Sequence, residues 1–392
     1  MSETDRVASL RIAVLSRHFV RHLGGAENYA VSLVEELAPQ HQITVFCQDY
    51  ADPIPGVIFQ RMRWGWKRPR WLNQWAFALW TWRQTRRGFD VVHSHENVFH
   101  GQVHTVHVKP VKHNLFAHVQ GVRRVFTCLK VALSPRLLAY LLLERMRFAR
   151  SSHRLIIAAS SPLADVLSRS FSLLPGQLHE LPPGVRVPPL LSEPERLQAQ
   201  AQARQSLGLP SQARLLLMIG HDYRKKGLGT ALKALQRLST LHHLVVVGQA
   251  AQIPSWRSRV QDMGLQDRVH FLGVLTDTRL AYQACDCLVH ATLEDVFPMV
   301  TLEAMAYGLP LVVSPAPFCL SSALLTHGVQ ALILPSPEDD EALAQAVQSL
   351  DSDPALKLSL ISEGRAFAQT YAWDKLAQRQ LALYRLAIQG VA

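Results

Sequence analysis

The chain has 392 residues, of which 48% are hydrophobic and 18% charged, and it carries a formal net charge of +11. That length exceeds one ordinary core, so two domains are predicted, and the balanced composition excludes a disordered or low-complexity chain. The positive excess calls for something anionic: nucleic acid, a phosphorylated small molecule or an anionic membrane surface.

Five cysteines without framework spacing argue against a disulfide scaffold and for a reducing compartment. Cys285 and Cys287, flanking Asp286, read as small strand residues rather than a metal pair. Met1 to Leu10 carries Glu3, Asp5 and Arg6, so no secretory signal is read there. No window reaches the roughly 18 to 20 apolar residues of a membrane span. The expected location is the cytoplasm, with the inner face of the cell membrane open as a peripheral contact.

Residues 10–16 form a short buried strand in this reading. A loop ending in Gly24-Gly25 follows, then a helix over 26–37 with Tyr29, Leu33 and Leu37 on one stripe, then a strand over 43–47. This is a Rossmann-like opening. A glycine pair at a helix start lets backbone N–H groups approach an anionic or hydroxyl-rich ligand, although a tight turn uses the same residues. Residues 61–88 hold six of the eight tryptophans, interleaved with arginine and lysine. Trp71, Trp75 and Trp82 with Leu72 and Leu79 keep helical spacing. Such a helix packs in a core behind a basic face, lies on anionic lipid, or stacks bases.

A strand over 89–93 ends in Ser94, His95, Glu96 and Asn97. The next, 103–108, carries His104 and His107 on opposite faces, so they are not a metal pair. His107 lies nearest the end where ligands gather, and a structural role is equally open to it. Residues 115–150 read as one long basic helical stretch whose apolar run 137–143 is expected to be buried. A strand over 155–159 and a Ser-Ser-Pro helix start follow.

Residues 181–189 (LPPGVRVPP) hold too much proline and glycine for a regular element and mark the domain boundary. A polar helix over 193–207 leads into a second strand–helix alternation: strands at 215–219, 244–248, 269–271, 287–289 and 311–313. That alternation predicts a second doubly wound parallel sheet. A terminal helix covers 373–386.

Two stretches of the second half carry chemistry. Gly220 to Gly227 sets Arg224, Lys225 and Lys226 in a strand–helix turn, where cations and helix N–H groups make a diphosphate clamp, the alternative being a solvated basic turn. In residues 290–314, Glu294 and Asp295 occupy a loop and Glu303 an ensuing helix. Glu303 suits the two hydroxyls of a ribose, and Asp295 those of a second group. The amides of Met299, Val300 and Thr301 suit the phosphates between them. Helix capping by Glu294 or Asp295 is the simpler alternative for the loop acids.

The run from Glu294 to Pro310 resembles the donor-site signature of the retaining glycosyltransferases of family 4. Asp295 and Glu303 match its two acids, with Asp as the first acid and Pro298 in place of the usual glycine. Gly24-Gly25-Ala26-Glu27 is similar to that family's first glycine loop, beside the acceptor and the donor phosphates. His107 matches its histidine near the transferred sugar. Pro183-Gly184-Val185 resembles its inter-domain turn, Lys226 matches the lysine of its basic loop, and Tyr371-Ala372-Trp373 resembles the start of its terminal helix. The loop GHDYRKKG looks most like that of transferases that glucosylate the lipopolysaccharide core.

The resemblance implies an α/β protein of GT-B fold, two Rossmann-like doubly wound domains facing a central cleft. Residues 1–183 would bind acceptor, with the helix 373–392 packing back on them, and 184–372 would bind donor. It implies retaining transfer of a hexose from a nucleotide-diphosphate sugar to a cell-envelope glycan or glycolipid, the lipopolysaccharide core, with no metal and no cofactor besides the co-substrate. His107, Lys226 and Asp295 would be catalytic. Gly24, Gly25, Arg224, Lys225, Lys226, Asp295, Met299, Val300, Thr301 and Glu303 would hold the donor. The rival readings are a nucleotide-sugar epimerase on the same fold and a non-catalytic binder of nucleotide sugar or nucleic acid; nucleic acid is not the expected partner.

Overall fold

The computed structural model describes residues 9–390, apart from 52, 64–67, 118 and 296 and the side chain of His22. The chain divides into two units, one formed by Met1–Gly184 with Trp373–Ala392 and the other by Val185–Ala372.

The first unit is built on a seven-stranded parallel sheet. Its strands run in the spatial order Ile58–Arg61, Gln42–Cys47, Arg11–Leu15, Val91–Ser94, Val103–Val106, Leu155–Ala158 and Leu178–Glu180. The second unit holds a six-stranded parallel sheet in the order Val269–Gly273, His242–Gly248, Arg214–Gly220, Cys287–His290, Leu311–Val313 and Leu332–Ile333. In both sheets the chain winds outward from its first strand to one edge, then returns to that strand's other side. The two strands flanking this reversal splay their following loops apart and leave a crevice at their carboxyl ends.

Burial on both faces explains why the strands read as unbroken apolar runs. In Leu215–Met218 and Leu244–Val247, even and odd residues feed two different core clusters, one on each side of the sheet. The helix Gly25–Leu37 lays its predicted stripe of Tyr29, Leu33 and Leu37 inward. The terminal helix Trp373–Gln389 joins that same core through Trp373, Leu376 and Tyr384. Helix Glu193–Ser206 starts at a capping box between Ser192 and Glu195. Two helices, Asp340–Ser352 and Pro354–Thr370, stand outside the elements predicted above. Each starts at an aspartate cap, Asp339 to the Ala342 amide and Asp353 to the Leu356 amide.

Two expectations need correction, and one open alternative is decided. The stretch 115–150 is three helices, not one: Val111–Phe116, Gly121–Ala132 and Pro135–Arg147. A left-handed Gly121 starts the second, and Ser134 caps the third ahead of Pro135. The run 137–143 is only partly buried: Leu137 and Leu143 are inside, Leu138 and Leu142 outside. The tryptophan-rich helix, Arg70–Thr85, turns its apolar side inward through Phe77 and Ala78, with Trp75 and Trp80 packed on the same core. Trp64 and Trp66 lie outside the described residues.

Candidate functional site

In the second unit the loops after Arg214–Gly220 and after Cys287–His290 leave neighbouring strands, on either side of the sheet's reversal. Glycine makes their close approach possible. Gly227 has φ +82°, and a Cβ there would stand 1.9 Å from the Ala291 carbonyl oxygen. Gly248 is equally constrained, with φ +147° and a Cβ position 1.8 Å from the Gly220 carbonyl. The loops are tied together: the Lys225 carbonyl accepts from the Leu293 amide at 2.7 Å and from the Thr292 hydroxyl at 3.1 Å.

This backbone brings Lys226 and Asp295 into direct ion contact. Asp295 is anchored by its main chain, donating to the Phe318 carbonyl and accepting from the Leu320 amide. Its side chain also meets His290 Nε2 at 3.2 Å. Burial opposes charge on Asp295, but the His290 hydrogen bond and the Lys226 ammonium outweigh it and hold the carboxyl below the usual carboxylate range. His290 is fully buried, and burial lowers its pKa against the pull of Asp295. Its Nδ1 has no partner among the described residues.

The other predicted groups lie around this pair. Lys225 reaches outward to Glu294 at 3.1 Å, both side chains being exposed. Arg224 is exposed, and its carbonyl accepts from the Gly227 amide. Helix Met299–Ala306 begins just after the Asp295 loop. The amides of Met299 and Val300 have no acceptor among the described residues. The Thr301 amide and hydroxyl both donate to the Pro298 carbonyl, at 3.2 and 2.7 Å, which removes Thr301 from the free donors expected there. Glu303 is half-buried and accepts from the Tyr282 hydroxyl at 2.5 Å. Burial raises its pKa, with the Tyr282 bond offsetting part of the effect.

In the first unit the reversal brings the loop after Arg11–Leu15 beside the one after Val91–Ser94. Arg17 pairs with Glu96 there at 2.9 Å. Gly24 and Gly25 stand at the start of helix Gly25–Leu37, and a Cβ on Gly24 would meet the Glu27 carboxylate at 2.7 Å. His107 lies just past the strand end, its Nε2 3.2 Å from His95 Nδ1. Tyr29 packs edge-on against His107, His95 stacks against His107, and His93 lies tilted against His95. His93 bonds to Tyr384 at 2.7 Å and to Thr105 at 2.8 Å. His104 is sealed inside the sheet. Burial, reinforced by the buried Arg147 guanidinium, pushes His93 and His107 down to about 3. These imidazoles are therefore neutral at ordinary pH and available as donors and acceptors rather than as cations.

His290, Tyr282 and His95 are the partners that sequence reasoning did not assign. His290 and His95 each end or follow a strand at the loop side, and that position is the one signal the sequence offered. Tyr282 meets Glu303 across 21 residues and leaves no local signature. Among the described residues, no group of three or more His, Cys, Asp or Glu side chains is arranged to hold a metal ion.

Residues 23–187 match the family Glycosyltransferase Family 4, and residues 199–367 match Glycosyl transferases group 1. The chain is 26% identical over 243 residues to the lipopolysaccharide glucosyltransferase WaaG of Escherichia coli, a match covering 61% of this chain and 64% of that protein. It is 29% identical over 242 residues to the D-inositol 3-phosphate glycosyltransferase of Xylanimonas cellulosilytica, covering 59% of this chain and 57% of the relative. The chain thus spans less than two thirds of the length of these curated relatives. Among solved structures, that of WaaG superposes with a TM-score of 0.74 at 17% identity, over 95% of this chain and 99% of the other. Anabaena HepE in complex with UDP-glucose gives 0.71 at 17% identity, over 96% and 99%. The fold implied by the family resemblance, GT-B, is the fold observed.

Proposed function

The chain carries a Glycosyltransferase Family 4 domain followed by a domain of the group 1 glycosyl transferases, and from that premise we propose that it is a retaining, metal-independent hexosyltransferase. The donor is a nucleotide-diphosphate sugar and the acceptor a cell-envelope glycolipid, the lipopolysaccharide core. The observation that carries this reading is the Lys226–Asp295 ion contact at one sheet reversal, just ahead of a helix that carries Glu303 and whose Met299 and Val300 amides have no acceptor among the described residues.

In this reading Glu303, held by Tyr282, accepts from the two ribose hydroxyls. The Met299 and Val300 amides and the Lys226 ammonium take the diphosphate. Arg224 and Lys225 add positive potential from the rim. Asp295, kept ionised, orients the hydroxyls of the sugar. The bond from the sugar C1 to the diphosphate oxygen breaks, and the acceptor oxygen bonds to C1 on the face just vacated. The acceptor's proton passes to the departing phosphate. Fixed cations and helix amides stabilise the charge that develops on the leaving group. His107, neutral and aligned by His95, is the candidate hydrogen-bonding group of the first unit. The WaaG likeness supports the lipopolysaccharide acceptor, and the HepE likeness supports a uridine-diphosphate donor.

The test is a panel of nucleotide sugars with truncated lipopolysaccharide as acceptor. The expected result is sugar transfer whose product keeps the donor's anomeric configuration, lost on Lys226→Ala. Conversion of a nucleotide sugar with no acceptor present would establish the epimerase instead. Absence of both transfer and donor binding would remove the reading altogether.

A further inference from the structure

The helices Gly121–Ala132 and Pro135–Arg147 expose a cluster of large apolar side chains. Val122, Val125, Phe126, Leu129 and Leu133 recur at helical spacing, yet the stripe faces outward, with Phe126 67% and Leu133 84% exposed. Leu138 and Leu142 are exposed on the next helix, which is bent 97° from this one. A soluble surface rarely leaves so continuous an apolar face open.

Between Lys109 and Arg150 the sequence has nine lysines and arginines and a single acid, Glu144. Glu144 is buried and spent on the amides of Val111 and Lys112. The apolar face is therefore framed by uncompensated positive charge. Two such faces would repel each other, which disfavours a second copy of this chain as the cover. Helix Pro135–Arg147 also walls an open groove of about 880 Å³. Arg68, Arg70 and Arg136 line it, with Trp71, Leu137 and Tyr140 as its apolar surface. None of the three arginines has a carboxylate partner among the described residues.

We propose that this groove seats the phosphate of a lipid headgroup while the adjoining stripe of Val122, Phe126, Leu129 and Leu133 enters the acyl layer of an anionic bilayer. Guanidinium groups match phosphate geometry, tryptophan and tyrosine settle at the headgroup level, and the aliphatic stripe replaces water with hydrocarbon. The tryptophan-rich helix contributes only its first two residues, Arg70 and Trp71, to this groove, and its apolar side is used in the core. The proposal rests on the membrane-borne acceptor in the reading above, but it involves a different unit from the donor site.

The experiment is flotation of the full chain with vesicles of phosphatidylcholine alone or mixed with phosphatidylglycerol. The expected result is binding to the anionic vesicles only. The triple change Arg68→Gln, Arg70→Gln, Arg136→Gln should weaken it by about a hundredfold, since each surface cation contributes about a factor of five near an anionic membrane. Phe126→Ser with Leu129→Ser should weaken it independently. These are exposed positions, and thermal stabilisation by a nucleotide sugar serves as the control: its retention shows a folded chain whose donor site is intact. Equal binding to neutral vesicles, unchanged binding by either variant, or self-association that Phe126→Ser disperses would overturn the proposal. So would tight inorganic phosphate binding without capture by vesicles.

Discussion

Replacing Glu303 by glutamine separates a ligand-binding carboxylate from a structural one. The side chain is half-buried, accepts from Tyr282, and has a pKa raised by burial. A carboxyl raised in the folded state favours folding below its unfolded value of 4.5 and loses that contribution as pH rises through the folded value. At neutral pH the charge is therefore a burden on the unliganded protein. Glutamine keeps an oxygen for the Tyr282 hydroxyl and removes the charge, so the unliganded Tm should hold or rise. Donor binding should move the other way. Hydrogen bonds to a charged acceptor exceed neutral ones by about 1 to 1.5 kcal/mol each, so two ribose hydroxyls lose about 2 to 3 kcal/mol, or roughly thirty- to a hundred-and-fiftyfold in Kd. Calorimetric titration with the donor that stabilises the native chain measures this, and wild-type affinity should strengthen as pH rises through the Glu303 titration. A variant that binds donor within threefold of wild type, or one whose unliganded Tm falls by many degrees, would refute the assignment.

The Lys226–Asp295 contact can be measured by a double-mutant cycle with Lys226→Met and Asp295→Asn. A coupling energy of about 1 to 3 kcal/mol is expected from chemical denaturation of the unliganded protein, and a value near zero would show that the contact contributes nothing. Gly227→Ala should destabilise the second unit by about 3 kcal/mol or more, because the left-handed backbone and the Ala291 carbonyl both reject a Cβ; urea melts at neutral pH will show it. The first unit should lose stability as pH falls. His93 and His107 titrate at about 3 when folded and 6.5 when unfolded, so the stabilisation is present above 6.5 and lost towards 3. The slope should approach about 1.4 kcal/mol per pH unit for each histidine, and His93→Gln should flatten it in urea titrations across that range.

Much of this was readable from residues near one another in the chain. Apolar runs bounded by glycine and proline located strands such as 215–219 and 311–313, because a strand buried on both faces needs no alternation to be visible. The proline-rich stretch 181–189 falls where the two units divide. The sequence named Lys226 and Asp295 separately; their pairing follows from the strand order, which makes the strands before their loops neighbours. Gly121 and the Ser134-Pro135 step broke the helical stretch 115–150 by local signals that its leucine periodicity outweighed.

Other features were decided only in three dimensions. Tyr282 beneath Glu303, His290 against Asp295 and His95 against His107 arise from strands or helices that the fold sets side by side. The engagement of Thr301 by the Pro298 carbonyl depends on how tightly the first helical turn is wound. The clearest division lies between two amphipathic segments of similar composition. The sequence shows that the helix at 70–85 and the one at 121–132 each carry an apolar stripe, since periodicity is a property of spacing alone. It does not say which stripe meets protein and which meets solvent. That depends on whether another element lies opposite, and here Phe77 faces a core while Phe126 faces outward.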